Sequence, residues 1–401
     1  MNVNVPLSNM RAIVIVIVVA FHSALAYLAS QPAVPFAFDA PPYRWIAFPI
    51  LDRQRWFGFD LFCAWQDVSL MALMFFLAGL FVPASLVRKG SPRYLRDRWW
   101  RIGLPFVLAA AALSPIAYYA SYRATASDPT PGAFWEHWLM LPQWPAGPAW
   151  FLWQLFVLCA LAAAIHAIAP QTIAKLGRFA DILADHPFAF VLGLTALAMV
   201  AYVPLALAFT PWDWKFLGPF SLQLSRPLHY TLYFFAAFAI GCGGIDRGIL
   251  RSDGALARHW PALLLAAVVC FGVWGELTSL TMPDWNASPL LDRFGAALAY
   301  PAACATGVLF LLALCLRSMG MRRHFLDSLS ANAFTIYLLH DSVVVWSQYA
   351  LLGVDLHPIA KWTIVFVGGL ALCWAASAAL RVCGSWLSDL AGKGSLVDQP
   401  R

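Results

Sequence analysis

Arg11-Ala12-Ile13-Val14-Ile15-Val16-Ile17-Val18-Val19-Ala20-Phe21-His22-Ser23-Ala24-Leu25-Ala26 belongs to the first apolar run of the chain, which covers residues 11–30. That length matches the roughly 20 residues a helix needs to cross the hydrocarbon core of a bilayer. Nine further runs follow, over residues 64–87, 102–122, 149–169, 188–209, 228–246, 260–281, 294–316, 329–352 and 359–383. Of 401 residues, 61% are hydrophobic and 11% charged, against about 25% charged in an ordinary soluble domain. A soluble protein of this size needs more polar surface than that. The 19 Trp and 12 Tyr, many near the ends of the runs, suit the aromatic belts at the two membrane interfaces. The expected fold is all-α: a polytopic integral membrane protein of about ten transmembrane helices. One membrane domain is expected over 1–383, with a short cytoplasmic tail over 384–401 and the lipid bilayer as partner.

Ile13 to Phe21, followed by Ala24-Leu25-Ala26, imitates a signal-peptide core and cleavage site. Only Arg11 charges the segment before it, and His22 interrupts the run, so the helix is expected to be retained. Orientation follows from the Lys and Arg residues. With the N-terminus inside, 18 of the 26 fall in cytoplasmic segments and 8 outside, which supports an N-in, C-in arrangement. The net charge of +6 is therefore a membrane-orientation signal, and no nucleic acid is expected as a partner. Cys159, Cys242, Cys270, Cys304, Cys315 and Cys373 lie in or at the ends of apolar runs, without ligand spacing. Small buried hydrophobes account for them, and neither a disulfide nor a metal is inferred.

Three features carry chemistry. Arg11 and His22 are eleven residues apart on one helix, about 16 Å along the axis and close to three full turns, so both project from one face. Arg11 then sits near the cytoplasmic interface and His22 in the middle to outer half of the bilayer. A packing histidine and a snorkelling arginine are the plainer account, but ionisable groups inside a membrane are costly and usually line a pathway. The stretch from Arg88 to Arg101 holds six basic residues. It serves as a positive-inside anchor, yet Arg98 and Arg101 share a helix face and can converge on one anion. Guanidinium groups suit bidentate phosphate binding. In the ninth run, His340 lies at a depth similar to that of His22, and two histidines at matching depth can face one cavity. Asp341, next in sequence, is about 100° away on the helix and cannot simply pair with His340. Glu276, Asp60 and Asp67 are weaker candidates.

The chain also resembles the acyltransferase family 3 membrane enzymes, closest to the branch that modifies periplasmic glucans (glucan biosynthesis protein C-like). Arg11-x10-His22 resembles the family's first-helix signature. Leu73-Met74-Phe75-Phe76-Leu77-Ala78-Gly79-Leu80-Phe81 resembles its second-helix segment, and Arg98-x-x-Arg101 with Ile102 and Pro105 its RxxR element. Gly147-Pro148-Ala149-Trp150-Phe151-Leu152-Trp153 and Ile336-Tyr337-Leu338-Leu339-His340 resemble two later helix motifs. Each motif is weak alone; together they run in the family's order from residue 11 to 340. Two departures stand out: Leu7-Ser8-Asn9-Met10-Arg11 lacks the family's acidic residue before the arginine, and Ala78 replaces its serine.

The resemblance implies a membrane O-acyltransferase, localised to the cytoplasmic (inner) membrane. It would move an acetyl or succinyl group from cytosolic acyl-CoA to a hydroxyl of an extracytoplasmic or cell-envelope glycan. Its catalytic residues would be His22, Arg11 and His340, with Arg98, Arg101 and Arg88 binding the donor. No permanently bound cofactor is expected, only acyl-CoA as donor substrate. A sugar hydroxyl is a poor nucleophile, and a neutral imidazole can take its proton during attack; an acyl-imidazole on His22 is the competing route. The alternative class is a secondary transporter or flippase of a polar or anionic solute. Such folds usually show broken helices in two related halves, and no matching halves are visible.

Overall fold

The structure is a computed structural model that describes residues 4–183, 186–245 and 248–394, with side chains described as far as 383. The chain is 76% helical, an all-α polytopic membrane protein. Ten long helices dominate: α1 Val5–Ala24, α2 Phe57–Gly79, α3 Ser91–Thr125, α4 Trp150–Ile168, α5 Pro187–Phe209, α6 Pro227–Gly243, α7 Trp260–Thr281, α8 Leu290–Ser318, α9 His324–Ala350 and α10 Pro358–Gly394. Eight have the length and apolarity to cross a bilayer, and α6 joins them only together with Gly248–Arg258 beyond a bend. Helix α9 has 27 residues; its Ser, Asn, His and Asp residues dilute its hydropathy. Among the described residues, eight or nine helices thus have the length and composition of spans, in keeping with the expected all-α polytopic fold. Of the tail expected over 384–401, residues 395–401 lie outside those described.

Helix starts differ from the apolar runs because caps and prolines, not hydropathy, set them. The side chain of Asn4 accepts the backbone N–H of Leu7 at 3.1 Å, with Pro6 in the first turn. Helix α1 therefore begins six residues before Arg11. Helix α3 begins at Ser91, so Arg98 and Arg101 sit inside a continuous helical segment rather than ahead of one. Two π-turns interrupt α3, at Trp99–Gly103 and Ala109–Leu113. Each spans the carbonyl four residues before a proline, Pro105 or Pro115. A proline ring clashes with that carbonyl in a regular α-helix, and a wider turn relieves the clash.

Glycines allow a close helix crossing. A Cβ on Gly79 would lie 2.2 Å from the carbonyl oxygen of Phe234, and one on Gly241 2.2 Å from that of Leu80. Helices α2 and α6 therefore meet backbone to backbone, the use small residues have in membrane bundles. Helix α2 ends there, and the expected run 64–87 splits into α2 and a short helix, Val82–Lys89.

The loops obey the alternation that the charge distribution requires. At one end, Asn9 Nδ2 donates to the carbonyls of Met319 and Met321, and Ser8 bonds Ser330. At the other, Gln54 bonds Asp355, and Lys361 forms a 2.6 Å ion pair with Asp52, both buried. On the same side lies the antiparallel hairpin β1 Trp214–Leu217 and β2 Phe220–Gln223, in register Trp214↔Gln223. Gly218 turns it with a left-handed φ of 58°. The loop over 31–49, with one 3-10 turn at Arg44–Ile46, packs on α3, where Phe38 stacks on Trp45 at 4.2 Å and Tyr118 donates to the carbonyl of Ile46.

Candidate active site

Helices α1 and α9 bring His22 and His340 into contact. Nδ1 of His22 lies 3.3 Å from Nε2 of His340, and the rings meet edge to face at 4.7 Å between centroids. Backbone carbonyls fix the tautomers, because a carbonyl oxygen only accepts. Val18 O is 2.9 Å from His22 Nδ1, and Tyr337 O is 2.6 Å from His340 Nδ1. Both Nδ1 atoms therefore carry hydrogen in the neutral rings. His22 Nδ1–H is shared between Val18 O and the lone pair of His340 Nε2. That leaves the lone pair of His22 Nε2 without a hydrogen-bond partner among the described residues. His340 is fully buried, whereas His22 is only partly so. The ring with the free nitrogen is the accessible one.

Gln348, one of the polar residues of α9, locks the same spot by donating from Nε2 to the carbonyls of His22 (2.9 Å) and Ser23 (3.2 Å). Trp362 donates to the carbonyl of Ala20 at 3.0 Å. The final turn of α1 thus has its freed carbonyls occupied.

Asp341 faces away from this pair. A Cβ on Gly147, whose φ is 53°, would lie 3.1 Å from Asp341 Oδ2 and 3.5 Å from the hydroxyl of Tyr118. A small, partly open cleft there, with about 20 Å³ of internal space, is lined by Ser114, Pro148, Tyr337, Asp341 and Ser342 among others. Tyr337 joins the two places: its carbonyl holds His340, and its hydroxyl donates to Pro148 O. The carboxylate of Asp341 has no cation or hydrogen-bond donor among the described residues. It meets neither imidazole, in keeping with the roughly 100° between Asp341 and His340 on the helix.

The basic residues separate. Arg11 stacks its guanidinium on Phe81 at 4.1 Å and lies within electrostatic reach of Arg98. Arg98, partly buried, rests on Tyr94 at 4.8 Å. Arg101 is exposed and acts electrostatically on Asp97, which also bonds Lys89. A π-turn begins at Trp99, between half-buried Arg98 and exposed Arg101. Arg11 and Arg98 are the pair the fold brings together. Arg88, exposed at the end of Val82–Lys89, makes no ion pair or ring contact among the described residues.

The family model described as an acyltransferase domain matches residues 5–378. The chain belongs to that family, acyltransferase family 3. It is a membrane acyltransferase, as the motifs implied. No curated protein and no solved structure matches the chain.

Within this acyltransferase, two weaker candidates have structural duties. Asp60 accepts the backbone N–H groups of Ala29 and Ser30 at 2.8 and 3.1 Å. Asp67 grips the buried Arg226 through both oxygens, at 2.9 and 2.6 Å. Glu276 is exposed, and its carboxylate meets no partner among the described residues. Sequence reasoning missed Gln348 and Arg226. A polar residue inside an apolar run was the available signal for the first; a charge just outside a run gave no signal for the second.

Proposed function

We propose that this acyltransferase moves an acetyl or succinyl group from cytosolic acyl-CoA to a hydroxyl of an extracytoplasmic glycan, at the cytoplasmic membrane. The observation that carries the proposal is the imidazole pair, with His22 Nε2 left as a free lone pair inside a membrane bundle. In the proposed reaction, His22 Nε2 removes the acceptor's hydroxyl proton as the oxygen attacks the thioester carbon. The C–S bond breaks, and the departing thiolate takes the proton back from His22. While His22 is charged, its Nδ1–H donates to His340 Nε2, which shares the positive charge and holds the ring in place. Arg11 and Arg98, with Arg101 and Arg88 at the membrane surface, supply positive charge where the phosphates of a nucleotide thioester would approach from inside. The unpartnered Asp341 faces the cavity beside His340 and suits the hydroxyls of an acceptor arriving from outside.

The test uses purified full-length protein in nanodiscs, acetyl-CoA and succinyl-CoA, and a panel of glucose oligosaccharides, with free thiol as readout. Thiol release should rise with a matching oligosaccharide. His22→Ala should lower it by about 10²–10⁴-fold while the protein still inserts and accumulates. Full transfer by that variant removes the mechanism. A burst of thiol equal to the enzyme concentration, without acceptor, would instead assign His22 Nε2 the role of transient acyl carrier.

A further inference from the structure

The cleft between α3, α9 and the loop that leads into α4 is short of hydrogen-bond donors. Three hydroxyls around it have already given their hydrogens to backbone carbonyls: Tyr118 to Ile46 O at 2.9 Å, Ser342 to Leu113 O at 3.0 Å, and Tyr337 to Pro148 O. Only lone pairs remain on those oxygens. The half-buried Asp341 carboxylate lies among them, within electrostatic reach of Tyr118 and Tyr337 and of no cation among the described residues. Ser114, which also lines the cleft, keeps an unspent hydroxyl, but one neutral donor does not cancel a charge. A charge at membrane depth is costly unless paired, and such a group marks a functional place. We infer that this cleft receives a primary ammonium, carried by an amino sugar of the acceptor. The inference rests on the reading of the acceptor as a glycan and narrows it.

Charge and size both select an ammonium. A water or a sugar hydroxyl can donate to the carboxylate, but either leaves its charge uncancelled. An ammonium brings one positive charge and three N–H donors, which match one carboxylate and the spare lone pairs of the tyrosine oxygens. Hydrogen bonds between ionised groups are roughly twice as strong as neutral ones. The internal space of about 20 Å³ holds one group the size of a water. The ammonium therefore enters, and the sugar ring stays in the open mouth. Gly147 keeps that room clear: a Cβ there would stand 3.1 Å from Asp341 Oδ2 and 3.5 Å from the Tyr118 hydroxyl. Both oxygens converge on one point.

The cleft belongs to the acceptor's side. Tyr118 is tied to the loop over 31–49, and Gly147 and Pro148 lie in the loop between α3 and α4; the Lys and Arg distribution puts both loops outside. Arg123, at the outer end of α3, lies over the rings of Tyr119 and Tyr349 and leaves Asp341 unpaired. Tyr337 links the cleft to the imidazoles, since its carbonyl holds His340 Nδ1 at 2.6 Å. Asp341 faces away from those rings, so the ammonium sits on a part of the acceptor other than the hydroxyl being acylated. Held as an ammonium, the nitrogen has no lone pair, and the acyl group goes to oxygen.

The test is equilibrium binding of three disaccharides of one linkage to full-length protein in nanodiscs without acyl-CoA: chitobiose with both amines free, its di-N-acetyl form, and cellobiose. The free amines should tighten binding about 10-fold over either neutral sugar, the gain expected for a hydrogen bond between charged groups. Asp341→Asn keeps the shape, removes the charge and should erase that preference. In turnover, KM for the amino disaccharide should rise by the same factor in this variant. Equal binding of the three sugars by the wild type overturns the subsite, and that comparison needs no variant to fold. So does an amine preference that survives in Asp341→Asn. Loss of the preference when sodium chloride replaces tetramethylammonium chloride at equal ionic strength assigns the cleft to an inorganic cation and overturns it too. The two readings fail separately. No amine preference, with transfer to a neutral glycan intact, sinks the subsite only. Absence of transfer to any glycan sinks the acceptor reading, while the donor-free titration still decides the subsite.

Discussion

Replacing His340 with Phe separates its role in holding His22 from its role in filling space. Phe keeps a ring in the fully buried position but offers His22 no acceptor. The His22 tautomer should survive, because Val18 O still accepts Nδ1–H at 2.9 Å. What is lost is the lone pair 3.3 Å away that takes a stronger hydrogen bond once His22 becomes charged. A hydrogen bond to a charged group contributes about 1.5–3 kcal/mol, and about 1.4 kcal/mol is tenfold in rate. The hydrogen is shared with a closer carbonyl, so the lower part of that range applies: a fall in kcat of about 10–30-fold. KM for either substrate should hold. His340→Gln, whose side-chain oxygen can replace the Nε2 acceptor, should recover part of the loss. Combined with His22→Ala, His340→Phe should cost nothing further, since the two act as a unit. Thiol release by matched amounts of purified protein reads all four variants. Wild-type turnover by His340→Phe, or a double variant well below His22→Ala, would refute the coupling.

Arg98→Gln should raise KM for acyl-CoA about tenfold through loss of a charge-assisted phosphate contact, whereas Arg88→Gln should shift it less than about fivefold because exposed charges contribute little; thiol release against donor concentration checks both. Gly79→Val should prevent the α2–α6 crossing, since even a Cβ meets the Phe234 carbonyl oxygen at 2.2 Å. The measurement is loss of the monodisperse peak on size exclusion in detergent. Lys361→Met strands the buried Asp52 carboxylate and should cost about 3–5 kcal/mol, read as a lower Tm, with partial recovery in the Lys361→Met/Asp52→Asn double variant.

The apolar runs by themselves determined that the chain crosses a membrane many times and, α3 and α10 apart, where each helix lies to within about two turns, because hydropathy is a local property of some twenty consecutive residues. They also placed His22 and His340 at one depth, since rise per residue is fixed along a helix. Helix starts were less legible: Asn4 and Pro6 extend α1 backwards, and prolines at 105 and 115 reshape α3 through π-turns. Which side chains meet depends on how helices rotate against each other, and contacts such as Gly79 on Phe234, far apart in sequence, set that rotation. Only the tertiary structure could turn His340 onto His22 and Asp341 away, and join Arg226 to Asp67 across 159 residues of chain. Depth is written along one helix; facing is agreed between two.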